Sequence, residues 1–208
     1  MKKEGARYIF SPSDLMNFVR AEFMTWMDRY HHERQGAIEP DADTEEQKII
    51  QDSGLEHERA FLESLATRGR HVCDLREFRD QPGPTLDAMR RGEDVIYQGY
   101  LARDNFAGYP DFLVRVESPS DLGAWSYEPW DTKLARHPKP YFLVHLCCYA
   151  EMLERAQGVR PLCLRVVLGV ATGTEPEAAS FRTGDLFYCY RAVKGVFLDQ
   201  QRPATTSP

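Results

Sequence analysis

The sequence predicts an α/β fold: a mixed β-sheet flanked by helices, with a helical attachment on its N-terminal side. Three observations predict it. Strand-like runs at 94–102, 108–116 and 125–133 follow one another through short loops containing Asn105, Gly108, Ser118, Pro119 and Gly123, the spacing of an antiparallel meander. A long helical pattern from Tyr141 to Ala156 then leads into the apolar, β-branched run 162–171, which points to a crossover returning onto the same sheet. Two amphipathic helical patterns precede the meander.

In chain order, Ser11-Pro12-Ser13-Asp14 opens the first helix: Ser11 suits the N-cap, Pro12 the first turn, and Asp14 sits three residues after the cap. Leu15, Phe18, Val19, Phe23 and Trp26 then recur at helical spacing, predicting one continuous helix to Arg29 whose apolar stripe is structural. Residues 1–32 are thus read as an N-terminal helix packed on the core. Residues 33–53 hold Glu39, Asp41, Asp43, Glu45 and Glu46 with few apolar side chains and read as a solvated acidic connector. A second helix is expected from Ser53-Gly54 through His57, Glu58, Phe61, Leu62 and Leu65 to a stop at Arg68-Gly69.

A strand at 71–78, a turn at Gln81-Pro82-Gly83-Pro84 and a short helix over 85–91 ended by Gly92 lead into the meander. After it, His137-Pro138-Lys139-Pro140 breaks the third strand and launches the long helix, with Gly158 past its end. A last amphipathic helix spans 185–198, and 200–208 is a polar tail, so that the core is assigned to 54–199. There is no internal repeat.

The 208 residues are 42% hydrophobic and 28% charged, enough for a substantial core and incompatible with bulk disorder. The net charge is −6, unevenly spread: residues 1–130 carry 16 basic and 25 acidic side chains, residues 131–208 carry 10 and 7. That balance disfavours a general polyanion-coating protein, yet permits chemistry on nucleic acid through a local basic patch or bound divalent cations. Five cysteines without a Cys-x-x-Cys pair suggest reduced thiols, and the apolar stretches are too short to span a bilayer. A soluble, cytoplasmic protein without membrane contact is the expectation.

The chemistry-bearing set is Asp111, Asp131 and Lys133. Side chains alternate along a strand, so Asp131 and Lys133 share one face, while Asp111 with Leu113 and Arg115 faces away from Phe112 and Val114. Two carboxylates on neighbouring strands are what a hard divalent cation needs, since Mg²⁺ takes oxygen ligands at about 2.0–2.1 Å. The Lys133 ammonium then positions a nucleophile or steadies charge on a phosphate, and the Thr132 carbonyl is a further candidate ligand. Taken alone, an Asp-x-Lys is common by chance and reads first as a solvated cross-strand ion pair worth about 0–1 kcal/mol.

The string Tyr109-Pro110-Asp111 followed by Asp131-Thr132-Lys133 resembles the PD-(D/E)XK nuclease signature, and the order helix, three strands, helix, strand matches that restriction-endonuclease-like core. Ser11-Pro12-Ser13-Asp14-Leu15, Gly54-Leu55-Glu56-His57-Glu58, Trp125-Ser126-Tyr127-Glu128, Asp131 to Arg136 and Phe181 to Asp185 are similar to the RecB-like nucleases that in many relatives precede a superfamily 1 helicase. The resemblance spans residues 8–198. It implies a Mg²⁺- or Mn²⁺-dependent deoxyribonuclease acting in DNA repair, recombination or processing, with DNA as substrate and a helicase as possible partner. It further implies that His57, Asp111 and Asp131 bind the metal, that Lys133 is the catalytic lysine, and that Tyr149 belongs to the helix motif beside the site.

Two positions depart from the family pattern: His145 stands where relatives carry Gln, and no cysteine stands near Ala21, so an iron–sulfur cluster is not expected. By residue type, His57 reads as a helix-surface or core-edge histidine, with Glu58 a second candidate ligand, and His145 and Tyr149 read equally as core residues. The competing functional reading is a catalytically weak nucleic-acid-binding or helicase-associated module, or a fragment of a nuclease–helicase.

Overall fold

The computed structural model describes residues 1–5, 7–34, 41–169 and 178–202. Parts of the expected connector (35–40), of the 162–171 strand (170–171) and of the polar tail (203–208) lie outside the described residues.

The chain opens with the hairpin of β1 (Lys2–Glu4) and β2 (Arg7–Ile9), then α1 (Pro12–Arg20) and α2 (Glu22–Glu33). The expected capping box is present: the Ser11 hydroxyl accepts from Asp14 N–H at 3.1 Å and the Asp14 carboxylate from Ser11 N–H at 2.7 Å. The single helix to Arg29 is corrected to two, because Ala21 is extended (φ −162°, ψ 100°). That break turns the second segment, so Leu15 is buried while Phe23 and Trp26 face water.

The helix expected from Ser53-Gly54 instead begins at Glu45, as α3 (Glu45–Thr67), so residues 45–53 are helix and not connector. Its start is a Thr44/Gln47 capping box, a Thr-x-x-Gln signature hidden in the sequence by the acidic composition around it. β3 (Val72–Asp74) is shorter than the run 71–78, and α4 (Pro82–Arg91) closes on Gly92 in the left-handed region. The run 94–102 divides into β4 (Val95–Tyr97) and β5 (Leu101–Arg103), with Gln98 at φ 55° between them. The run 108–116 divides into β6 (Phe106–Gly108) and β7 (Phe112–Val116) around Tyr109-Pro110-Asp111. β5 and β6 pair as a separate hairpin.

β8 (Ser126–Lys133), α5 (Pro140–Gln157) and β9 (Cys163–Leu168) form the expected parallel crossover. β10 (Ala178–Arg182), which no sequence signal suggested, pairs antiparallel with β9, and α6 (Thr183–Gln200) follows. The result is a mixed six-stranded sheet, β10-β9-β8-β7-β4-β3, flanked by helices.

Alternation along the strands builds two cores. Ile96, Leu113, Tyr127, Leu164 and Val166 face α5 and its neighbours, whereas Val95, Tyr97, Phe112, Val114 and Val167 face Phe61 and Leu65 of α3. No helix among the described residues is long and apolar enough to cross a membrane.

Candidate active site

β7 and β8 are antiparallel, with Phe112 opposite Trp130. One step further along that register places Asp111, just before β7, beside Asp131, so the start of one strand and the end of the next meet where the two central strands of the sheet end. There, Thr132 donates to Asp111 Oδ2 twice, from its N–H and its hydroxyl, each at 2.8 Å. Asp111 is thereby fixed in orientation by the strand that carries its partner acid.

Asp131 is 1% exposed and points toward α5. Its Oδ2 lies 2.5 Å from Lys133 Nζ, and its Oδ1 lies 3.6 Å from His145 Nδ1. Neither contact has hydrogen-bond geometry, so Asp131 Oδ2 and His145 Nδ1 are buried polar atoms without a hydrogen-bond partner. Lys133 is tied down through its carbonyl, which accepts from Gly169 N–H at 3.0 Å, and its ammonium stands 5.8 Å from the Phe142 ring centre.

The charges of this group push against one another. Burial raises the Asp111 carboxyl well above the ordinary range, and the negative Asp131 beside it adds to the rise. Burial acts on Asp131 in the same direction, but Lys133 and His145 together outweigh it and hold that carboxyl low. Burial disfavours the Lys133 ammonium, yet Asp131 and Asp111 overcome this and raise its pKa, so it stays charged.

The four-residue spacing of His145 and Tyr149 puts their rings edge to face at 5.1 Å on the inner side of α5. Tyr149 is buried behind the two acids, and burial, then the charges of Asp131 and Asp111, keep its phenol protonated. Gly108 lets it approach: a Cβ there would lie 2.9 Å from Pro12 Cδ and 3.0 Å from the Tyr149 hydroxyl oxygen.

α3 forms the other wall. A cleft of about 430 Å³ is lined by Gln51, Gly54, Leu55 and Glu58 of α3 and by Asp111, Thr132 and Lys133. Glu58 therefore joins the site, its carboxylate accepting from Gln98 Nε2 at 2.9 Å. Gln98 itself carried no sequence signal; its left-handed backbone and its N–H bond to the Asp111 carbonyl at 3.0 Å place it here. His57 lies on the stripe of Phe61 and Leu65, facing the sheet and not lining the cleft, with Nε2 3.2 Å from the Val167 carbonyl. Because a carbonyl only accepts, Nε2 is the donor in that contact.

Among the described residues no three His, Cys, Asp or Glu side chains stand in a preformed metal centre. The donor chemistry nevertheless fits a hard cation: two carboxylates where the central strands end, a third across the cleft, and an Asp131 Oδ2 that no hydrogen bond holds beside its ion pair with Lys133.

No protein-family model matches the chain, and no curated protein matches it. The crystal structure of SSO0001 is similar at 11% identity, over 94% of this chain and 79% of that one, with a TM-score of 0.37.

Proposed function

We propose that the chain is a Mg²⁺- or Mn²⁺-dependent deoxyribonuclease with a PD-(D/E)XK core of the RecB-like kind. The observation that carries this reading is the cluster of buried Asp131 with half-buried Asp111 and Lys133, the last two opening onto a cleft whose far wall presents Glu58. The motif strings given above support it independently of the geometry.

In this reading Asp111 and Asp131 hold the metal, with the Thr132 carbonyl as a further ligand and Glu58 facing them across the cleft. His57, turned toward the sheet with Nε2 on the Val167 carbonyl, stands outside the cleft. When bound, the ion polarises a phosphoryl oxygen of the DNA backbone as a Lewis acid. Thr132 keeps Asp111 aimed through its two hydrogen bonds, and His145 restricts Asp131 from the α5 side. Lys133, held protonated by the two acids, presents positive charge where negative charge develops at phosphorus. Tyr149 closes the back of the site and excludes water from the two carboxylates.

Cleavage of end-labelled single- and double-stranded DNA tests this in Mg²⁺, Mn²⁺ and EDTA. Metal-dependent products are expected from the wild type, reduced by roughly 10²–10³-fold or more in Asp111→Ala and Lys133→Ala. Undiminished cleavage in either variant, or products formed in EDTA, overturns the assignment.

A further inference from the structure

Helix α2 keeps its large aromatic side chains outside. Phe23 is 67% exposed and Trp26 53%. With Tyr30 they stand three and four residues apart, on one face of the helix, while Thr25 and Arg29 on the opposite face are turned inward. The three rings form a ladder: Phe23 stacks on Trp26 at 5.7 Å with planes 19° apart, and Trp26 on Tyr30 at 5.3 Å with planes 24° apart. Leaving such surface in water forgoes about 25 cal/mol for each Å² that burial would have removed, and contiguous patches of this kind mark binding surfaces.

One cation stands over the last ring of the ladder, and two more stand over Tyr141 of α5. At the far end the Arg34 guanidinium lies 5.2 Å over the Tyr30 ring. Arg20, the last residue of α1 and three residues before Phe23, lies 5.3 Å over Tyr141, and Lys139 lies 5.8 Å from the same ring. All three are exposed, and among the described residues none has a carboxylate partner. Tyr141 packs edge to face on Phe142 at 4.8 Å, and the Lys133 ammonium of the cleft stands over Phe142. A contact path thus runs from the catalytic lysine through Phe142 and Tyr141 to Arg20, from which the chain reaches Phe23 in three residues.

We infer that the Phe23, Trp26 and Tyr30 ladder is a stacking subsite for unpaired nucleic-acid bases, with Arg20, Lys139 and Arg34 meeting the backbone phosphates of the same strand. Alternating aromatic faces and cations are what an unpaired strand requires: every base offers a π-face, and the phosphates follow at one side. Paired bases present only edges and backbone, so a duplex cannot use the rings. The inference rests on the nuclease reading for its link to the cleft, but the ladder itself is tested without cleavage.

The test is fluorescence anisotropy of the full chain with a labelled oligothymidine and with a blunt duplex, both in EDTA. Trp26→Ala and Phe23→Ala are expected to weaken oligothymidine binding about tenfold or more, with duplex binding unchanged and Trp26→Phe close to wild type. Arg20→Ala and Lys139→Ala are expected to lower the salt dependence of binding by about one phosphate contact each. Because these side chains are exposed, circular dichroism melting should match the wild type in every variant.

Equal single-strand affinity in the alanine variants, equal losses on both probes, or no oligothymidine binding by the wild type overturns the inference. So does a wild-type dimer in sedimentation that Trp26→Ala dissociates, which would assign the face to a second copy of the chain. Ladder-dependent binding by a protein that cleaves nothing in Mn²⁺ supports the ladder and removes the nuclease reading. Cleavage with ladder-independent binding does the converse.

Discussion

Glu151 joins three parts of the molecule. Its Oε2 accepts from the Tyr190 hydroxyl of α6 at 2.7 Å and pairs with Lys194 of the same helix, while its carbonyl accepts from Arg103 of β5 at 2.8 Å. Burial pushes this carboxyl up, but the hydrogen bonds from Lys194 and Tyr190 outweigh it and lower its pKa below the ordinary glutamate value. A depressed carboxylate stabilises the fold above its unfolded pKa, and that stability is lost as pH falls through the folded value. Glu151→Gln should therefore cost about 2 kcal/mol at pH 7 and flatten the loss of stability on acidification below the ordinary value of 4.5. Urea unfolding across pH 3–7 measures it, and parallel curves for the two proteins would refute it.

Residues of the candidate site were legible to different degrees for a physical reason. Asp111, Asp131 and Lys133 follow from strand alternation and an antiparallel register, both local properties of the sequence. Glu58, named in the sequence only as a second candidate ligand, owes its place to where a distant helix docks, and Gln98 to one left-handed residue, which no local pattern encodes.

Among the elements, α3 has the most to lose from one substitution. Its N-terminal half projects with Ile49, Ile50 and Leu55 exposed, so the helix is anchored mainly through Phe61 and Leu65. Phe61 meets Phe112 edge-on at 5.2 Å and stacks on Trp130 at 6.1 Å. Phe61→Ala should cost about 3–5 kcal/mol and raise amide exchange along α3 before the rest of the sheet. Exchange that rises uniformly across the molecule would show that α3 is not a separate cooperative unit.

Element type was well encoded and element ends were not. The Ser11 and Thr44 boxes are true local signals, whereas Ala21 is a strong helix former and ends α1 all the same. α1 and α2 pack in different directions, so tertiary contacts override propensity there and rotate Phe23 and Trp26 outward. Likewise β10 is paired to β9 through a strand edge, a relation that 178–182 alone does not announce.

At the scale of the whole molecule, both ends of the described chain share one core. Phe197 of α6 packs edge-on against Phe10 at 5.0 Å and Phe18 at 5.5 Å, and it is fully buried. The crossover and meander could be anticipated because each joins neighbours in sequence. This closure could not, since it links residues nearly the full length of the chain apart. A chain ended at Arg182 should elute as aggregate and be cut rapidly by protease within α1, and a sharp monomeric melt from it would contradict the closure.

The same contact sets a clock on synthesis. Ribosomes add roughly 5–20 residues per second, so after Phe10 and Phe18 emerge, on the order of 10–40 s passes before Phe197 can cover them. Until α5 is made the nascent chain displays α1 without the helix it packs against most, and Phe10 and Phe18 wait longer still for Phe197. Anything that shortens that wait, or holds α1 during it, should raise the yield of folded chain without changing the equilibrium stability of the finished fold.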